Sequence, residues 1–169
     1  MDLKAHIRGI PDFPIPGILF YDISTILSNP SALEYAVTAM EEKISAWQPD
    51  IIAGIESRGF LFATPLALRM GLPMMMIRKA GKLPGEVVSY EYDLEYGTDT
   101  IQIQADAIQA GQKVVIVDDL LATGGTLEAS IKICQKVGGE VIGCTVVIEL
   151  DFLSGRNNLS VPCKSLVNY

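Results

Sequence analysis

This chain is short of the residues that most often carry chemistry by themselves. It has one histidine, His6, in the N-terminal piece, so a histidine base beside a nucleophile has no candidate in the body of the sequence. Its three cysteines, Cys134, Cys144 and Cys163, are odd in number and lack metal-ligand spacing. Cys134 falls on an apolar helix face and Cys144 in an apolar run, the pattern of buried free thiols in a reducing compartment. Neither GxxxxGKS/T nor GxGxxG occurs, which leaves P-loop and dinucleotide-binding readings without support. No apolar run reaches membrane-spanning length, and MDLKAHIRGIPDF carries no signal-like apolar region, so a cytoplasmic location is expected. Positive charge is also scarce: 13 Lys and Arg against 20 Asp and Glu give a net charge of −7. A general nucleic-acid binder carries a basic excess, so that partner is disfavoured. Any polyanionic ligand must meet a local concentration of positive charge or a metal ion.

What is present is a globular composition, 49% hydrophobic and 20% charged over 169 residues, enough for one domain with one sizeable core. Helical periodicity predicts helices over Ser31–Trp47, Phe60–Met70 and Leu127–Val137. Apolar runs predict buried strands at Ile51–Ile55, Met74–Ile77, Val114–Val117 and Val141–Ile148. Ile101–Gln104 reads as a half-exposed strand, and the tail as a short turn near Phe152–Asn157 and a strand around Ser165–Val167. Trp47 and Met74–Met76 are read as core. Strands alternating with helices predict a single α/β domain spanning 1–169, a mostly parallel twisted sheet flanked by helices. Residues 1–28, with Pro11, Pro14, Pro16 and Gly17 among apolar residues, read as an ordered arm over the main body. Residues 80–98 form a long polar segment with three tyrosines, read as a flexible lid with Gly85 and Gly97 as hinges, or as a β-hairpin; a lid can be both.

Ligands in open α/β sheets bind at the carboxyl ends of strands, which singles out three loops. KVVIVDDLLATGGT at 113–126 is a buried strand, two acids and a small-residue turn opening a helix. The turn offers backbone N–H groups, two hydroxyls and a helix N-terminus, which suit a phosphate. Asp118 and Asp119 accept hydrogen bonds only and suit sugar hydroxyls or a cation. A phosphate beside a diol describes a ribose 5-phosphate; the plain alternative is a strand–turn–helix with solvated acids. Glu56-Ser57-Arg58-Gly59 opens another helix and holds either an anion or only an internal ion pair. Arg78, Lys79 and Lys82 form the one dense basic cluster of the sequence.

VVIVDDLLATGGT resembles the signature of the type I phosphoribosyltransferases. PDFPIPGILFYDIS (11–24), GIESRGFLF (54–62), IRKAGKLPG (77–85) and LEYG (94–97) resemble the adenine phosphoribosyltransferases in particular, in order and with compatible spacing over nearly the whole chain. The resemblance implies conversion of adenine and phosphoribosyl pyrophosphate to AMP and pyrophosphate, with Mg²⁺ held through substrate and water rather than by protein ligands. It places Ala122, Thr123, Gly124, Gly125 and Thr126 at the 5-phosphate and Asp118 and Asp119 at the ribose. It places Glu56, Ser57 and Arg58 in a pyrophosphate loop, often with a non-proline cis peptide. Lys79 and Lys82 reach pyrophosphate, and Arg78 does so from the neighbouring subunit of a homodimer. Residues 1–28 become a hood over the base, with Leu19 and Tyr21 near it. Glu95 is the acid/base at the purine, and Tyr96 flanks it. Tyr21 stands where many relatives have arginine, and Glu56 where some have aspartate. The hood segment 11–24 contains no lysine to meet a 6-oxopurine, which favours adenine over other purines. The remaining alternative is a non-catalytic regulator that binds phosphoribosyl pyrophosphate.

Overall fold

The structure, a computed structural model, describes residues 1–94 and 97–169. The chain opens with strands β1 (Arg8–Pro11) and β2 (Leu19–Asp22), a one-turn helix α1 (Ser24–Leu27) and the long helix α2 (Pro30–Ile44). Strand β3 (Ile51–Ile55), helix α3 (Phe60–Met70) and strand β4 (Met74–Lys79) form a first βαβ unit. Strands β5 (Val87–Asp93) and β6 (Thr98–Gln104) pair as an antiparallel hairpin. Strand β7 (Lys113–Leu121), helix α4 (Gly125–Lys136) and strand β8 (Glu140–Glu149) form a second βαβ unit, followed by β9 (Cys163–Asn168).

β1 and β2 stand apart as a two-stranded antiparallel hood. The other strands make one sheet in the order β5-β6-β4-β3-β7-β8-β9, parallel from β4 to β9. Covered on both faces, the central runs Ile51–Ile55 of β3 and Val114–Val117 of β7 carry no charged or polar side chain, and alternation sorts them. Ile52, Val115, Val117 and Val147 face α2 and α3, where Met40, Phe62 and Leu66 are fully buried. Ala53, Ile55, Val114 and Ile116 face α4 with Leu127, Ile131 and Cys134. Helix α2 starts where expected because the Asn29 side chain accepts the Ala32 N–H and Pro30 occupies the first turn. Helix α3 stops at Gly71, whose φ of 66° is left-handed. The three cysteines are buried.

The topology creates the cleft. From β3 the chain leaves through α3 toward β4 on one side; from β7 it leaves through α4 toward β8 on the other. The loops after β3 and β7 therefore diverge, and the crevice between them is a switch point of the sheet.

Three expectations change. β7 runs to Leu121, beyond the expected Val117. Its pairing with β3 ends at Val117, but its pairing with the longer β8 continues to Leu121↔Glu149, so one neighbour keeps the backbone extended. Within the segment read as a lid or a β-hairpin, residues 87–93 are strand: seven residues pair in register with β6, and Tyr90 and Tyr92 pack on the core at α4. The hairpin alternative for that segment is what the structure contains. Finally, Met75 is core but Met76 is 39% exposed, because alternation turns it to the other face of β4. Trp47 is half-buried, lying over Gly143.

Candidate active site

A cleft of about 440 Å³ opens at the carboxyl ends of β3, β4 and β7. Its floor is the acid pair. Asp119 is 3% exposed, and Arg58 Nε stands 2.9 Å from its Oδ2. Asp118, half-buried, faces the cleft and accepts the Asp119 N–H at 2.9 Å. Desolvation and the adjacent Asp119 charge push the Asp118 carboxyl well above the usual range. Burial also raises Asp119, with Arg58 the main opposing influence. Such a pair readily takes up hydrogen-bond donors or positive charge.

Past the acids, residues Asp118–Leu127 wrap a pocket of about 200 Å³. Gly124 turns the chain at φ 88° and Gly125 begins α4. The free N–H groups of that first turn and the Thr123 and Thr126 side chains line an anion-sized hollow.

The loop after β3 forms the opposite wall. The Glu56–Ser57 peptide is cis. Gly59 lets α3 start against the ends of both strands: a Cβ there would stand 2.5 Å from the Ile55 carbonyl oxygen and 2.7 Å from that of Val117. Glu56 gathers the basic cluster, with Arg78 Nη2 and Lys82 Nζ each 3.3 Å from its carboxylate and the Lys79 N–H at 2.9 Å. Partial burial pulls the Glu56 carboxyl up, but these donors outweigh it and hold it low. Lys79 pairs with Asp99 on β6, an ion pair that raises the Lys79 pKa and lowers that of Asp99. The Tyr92 hydroxyl lies 3.5 Å from Asp99 and 3.3 Å from Thr126 Oγ1, joining the hairpin to the phosphate-sized turn.

Beyond Arg58 lies a third hollow of about 390 Å³, under the β1–β2 hood. Ile10, Phe13, Phe20, Leu27 and Leu61 make it largely apolar. Phe13 and Phe20 meet edge to face with centroids 5.1 Å apart, and the Arg58 guanidinium lies 5.4 Å from the Phe20 ring centre. An apolar hollow thus adjoins a polar cleft, with Arg58 lining both.

Residues 22–167 match the family model described as phosphoribosyl transferase domain. The adenine phosphoribosyltransferase of Gluconacetobacter diazotrophicus is 59% identical over 169 residues, covering 100% of this chain and 96% of that protein. This chain belongs to the adenine phosphoribosyltransferase family. The adenine phosphoribosyltransferase of Gluconobacter oxydans is 60% identical, covering 100% of this chain and 94% of that one. The solved adenine phosphoribosyltransferase of Thermoanaerobacter pseudethanolicus is 47% identical with a TM-score of 0.97, covering 99% of this chain and 98% of that chain. That of Saccharomyces cerevisiae, complexed with an imino-altritol bisphosphate and adenine, is 42% identical with a TM-score of 0.93, covering 98% and 97%.

As a member of the adenine phosphoribosyltransferase family, the chain brings together most residues singled out from its sequence. Glu56, Ser57, Arg58, Arg78, Lys79, Asp118, Asp119 and Thr126 share the main cleft, and Lys82 reaches it through Glu56. Ala122, Thr123, Gly124 and Gly125 line the adjoining turn. Two hood residues sit elsewhere. The Tyr21 ring stacks on Tyr169 at 4.0 Å, and Leu19 is 49% exposed beside Gly9. Strand alternation explains this, since Phe20 and Asp22 take the cleft-facing side of β2. Glu95 and Tyr96 lie outside the described residues. Sequence reasoning missed Phe20, Asp99 and Tyr92. Alternation along LFYD could have found Phe20, but Asp99 meets Lys79 only through the β4–β6 pairing, which no local pattern announces.

Proposed function

We propose that this protein transfers the 5-phosphoribosyl group from phosphoribosyl pyrophosphate to adenine, giving AMP and pyrophosphate. The observation that carries the reading is the meeting of three hollows at one residue: an anion-sized turn, a cleft with an acid floor and cationic wall, and an apolar slot, with Arg58 lining all three. The names of the relatives support the same assignment.

In this reading the N–H groups of 123–126 hold the 5-phosphate, and Asp118 and Asp119 accept from the ribose hydroxyls. Leaving of pyrophosphate develops oxocarbenium character at C1, as in glycoside chemistry. Arg58, Arg78, Lys79 and Lys82 face the departing charge. Adenine stacks in the slot beside Phe20, and Glu95 takes the proton released as N9 attacks. Closure of the 80–98 segment excludes water from the activated sugar.

Mg²⁺ is proposed on charge grounds. The cleft's four cations already face Glu56, Asp99 and Asp119. A diphosphate therefore needs positive charge brought with it, and Asp118, which takes part in none of these pairs, suits a metal-bound water. In this reading the ion is carried by the substrate diphosphate and water, with Asp118 facing one of those waters. It would neutralise the leaving group when bound.

A homodimer is proposed from α3. Its outer face presents Leu68, 81% exposed, an apolar side chain that a second copy would cover. Among the described residues no helix is long and apolar enough to cross a membrane. A cytoplasmic location remains part of the proposal. The deciding assay is AMP formation from adenine, phosphoribosyl pyrophosphate and Mg²⁺. Absence of product from folded protein rejects the enzyme reading, and equal turnover of hypoxanthine rejects the choice of base.

A further inference from the structure

The turn assigned to the 5-phosphate does not fix its own geometry. Gly124, at φ 88°, is the residue about which the Thr123–Gly124 peptide plane could most easily rotate. Such a rotation would aim a carbonyl, not an N–H, at the anion.

Behind the turn, away from the cleft, lies the segment 154–158. Asn158 Nδ2 donates to the Thr123 carbonyl at 2.7 Å. Gly155 packs so tightly that a Cβ on it would stand 2.0 Å from the Ala122 carbonyl oxygen, and a Cβ on Gly124 would stand 2.5 Å from the Gly155 oxygen. A trans peptide points its C=O and the following N–H to opposite sides. Holding the Ala122 and Thr123 carbonyls outward therefore turns the Thr123 and Gly124 N–H groups inward. Asn158 lines an outer hollow of about 270 Å³ with Tyr90 and Tyr92, on the far side of Thr123 and Gly125, which line both hollows, and Asn158 is not among the residues around the inner pocket.

The backing segment is itself anchored. Arg156 donates through Nε, at 2.8 Å, and through Nη2 to Glu149, which is 4% exposed and also accepts the Ser165 hydroxyl at 2.7 Å. Arg156 Nη1 donates to the Cys163 carbonyl. Ser160 bonds Glu128 of α4 through its N–H at 2.9 Å and its hydroxyl at 3.1 Å. The segment is thus tied to β8, β9 and α4 together.

We propose that Asn158, held by the Arg156–Glu149 pair, is a positioning residue that sets the peptide orientation of the phosphate turn without touching substrate. The proposal rests on the phosphoribosyl reading of that turn. Asn158→Asp keeps the side-chain shape and replaces the donor with an acceptor facing the Thr123 carbonyl. The test is calorimetric titration of the folded protein with two probes, ribose 5-phosphate and Mg²⁺ pyrophosphate. Affinity for ribose 5-phosphate should fall about tenfold or more, the cost of a lost bond plus a facing acceptor. Pyrophosphate affinity should be unchanged. In steady state, KM for phosphoribosyl pyrophosphate should rise while KM for adenine stays constant. Should Asn158→Asp unfold, Asn158→Ala must show the same split. Equal weakening of both probes, or of neither, overturns the positioning role. A native protein that binds pyrophosphate but not ribose 5-phosphate overturns the reading of the turn itself, and the proposal with it.

Discussion

Arg58 Nε lies 2.9 Å from the buried Oδ2 of Asp119, so the loop after β3 is fastened to the strand that carries the acid pair. Removing the arginine leaves a buried carboxylate without its cation. Because Arg58 is itself partly exposed and Asp119 can protonate, Arg58→Ala should cost only about 1–2 kcal/mol, less than a fully buried pair would. Denaturant unfolding would measure it. The double variant Arg58→Ala/Asp119→Asn should recover most of that stability while kcat stays down by about 10²-fold or more. Recovery of both would reduce Arg58 to a structural counter-ion.

Asp118 gives a pH prediction. Burial and the Asp119 charge raise its carboxyl above the ordinary 3.8. The folded protein then binds a proton that the unfolded chain has already released, so stability falls as pH rises from about 3.8 toward the raised value, and the deficit persists above it. Asp118→Asn should be more stable than the native chain near pH 7, by about 1 kcal/mol or more, and no more stable near pH 3. The same change should weaken sugar binding. A stability gain independent of pH would contradict the assignment.

Glu95→Gln isolates the proton transfer. It should lower kcat by about 10²–10⁴-fold and leave KM for phosphoribosyl pyrophosphate within a few-fold. A change confined to KM would remove Glu95 from the chemical step.

Gly59 and Gly125 make a contrasting pair. A Cβ on Gly59 collides with two strand-end carbonyls, while one on Gly125 meets nothing within 4 Å. Gly59→Ala should cost about 1–3 kcal/mol and displace the start of α3, whereas Gly125→Ala should leave thermal stability intact. Equal melting temperatures for the two would show that α3 can shift freely.

The proposed homodimer predicts that Leu68→Glu, on the outer face of α3, shifts the protein toward monomer in sedimentation without lowering monomer stability by more than about 0.5 kcal/mol. An unchanged dimer would place the interface elsewhere.

Much of this architecture is legible because local and tertiary demands agree. The run Val114–Val117 is a doubly covered strand as its apolar pattern suggests, and Ala122–Gly124 turns the chain into α4 as its small residues suggest. Thus α3 begins and ends as its sequence announces, and β3 has its expected bounds. Legibility fails where a partner strand decides. β8 keeps β7 extended through the acids, and the hood pairing chooses Phe20 over Tyr21 for the slot. The backing role of Asn158 is of the same kind, since 35 residues separate it from Thr123.

The paired cations of the cleft have a consequence for life among competing anions. Arg58, Arg78, Lys79 and Lys82 each already face a carboxylate. A small, weakly charged anion such as free phosphate can disrupt one such pair and gains little. Only a ligand dense enough in charge to engage several at once recovers what their separation costs. The cationic wall of the ligand-free cleft should thereby take up a single small anion less readily than a diphosphate ester, which engages several of these pairs at once.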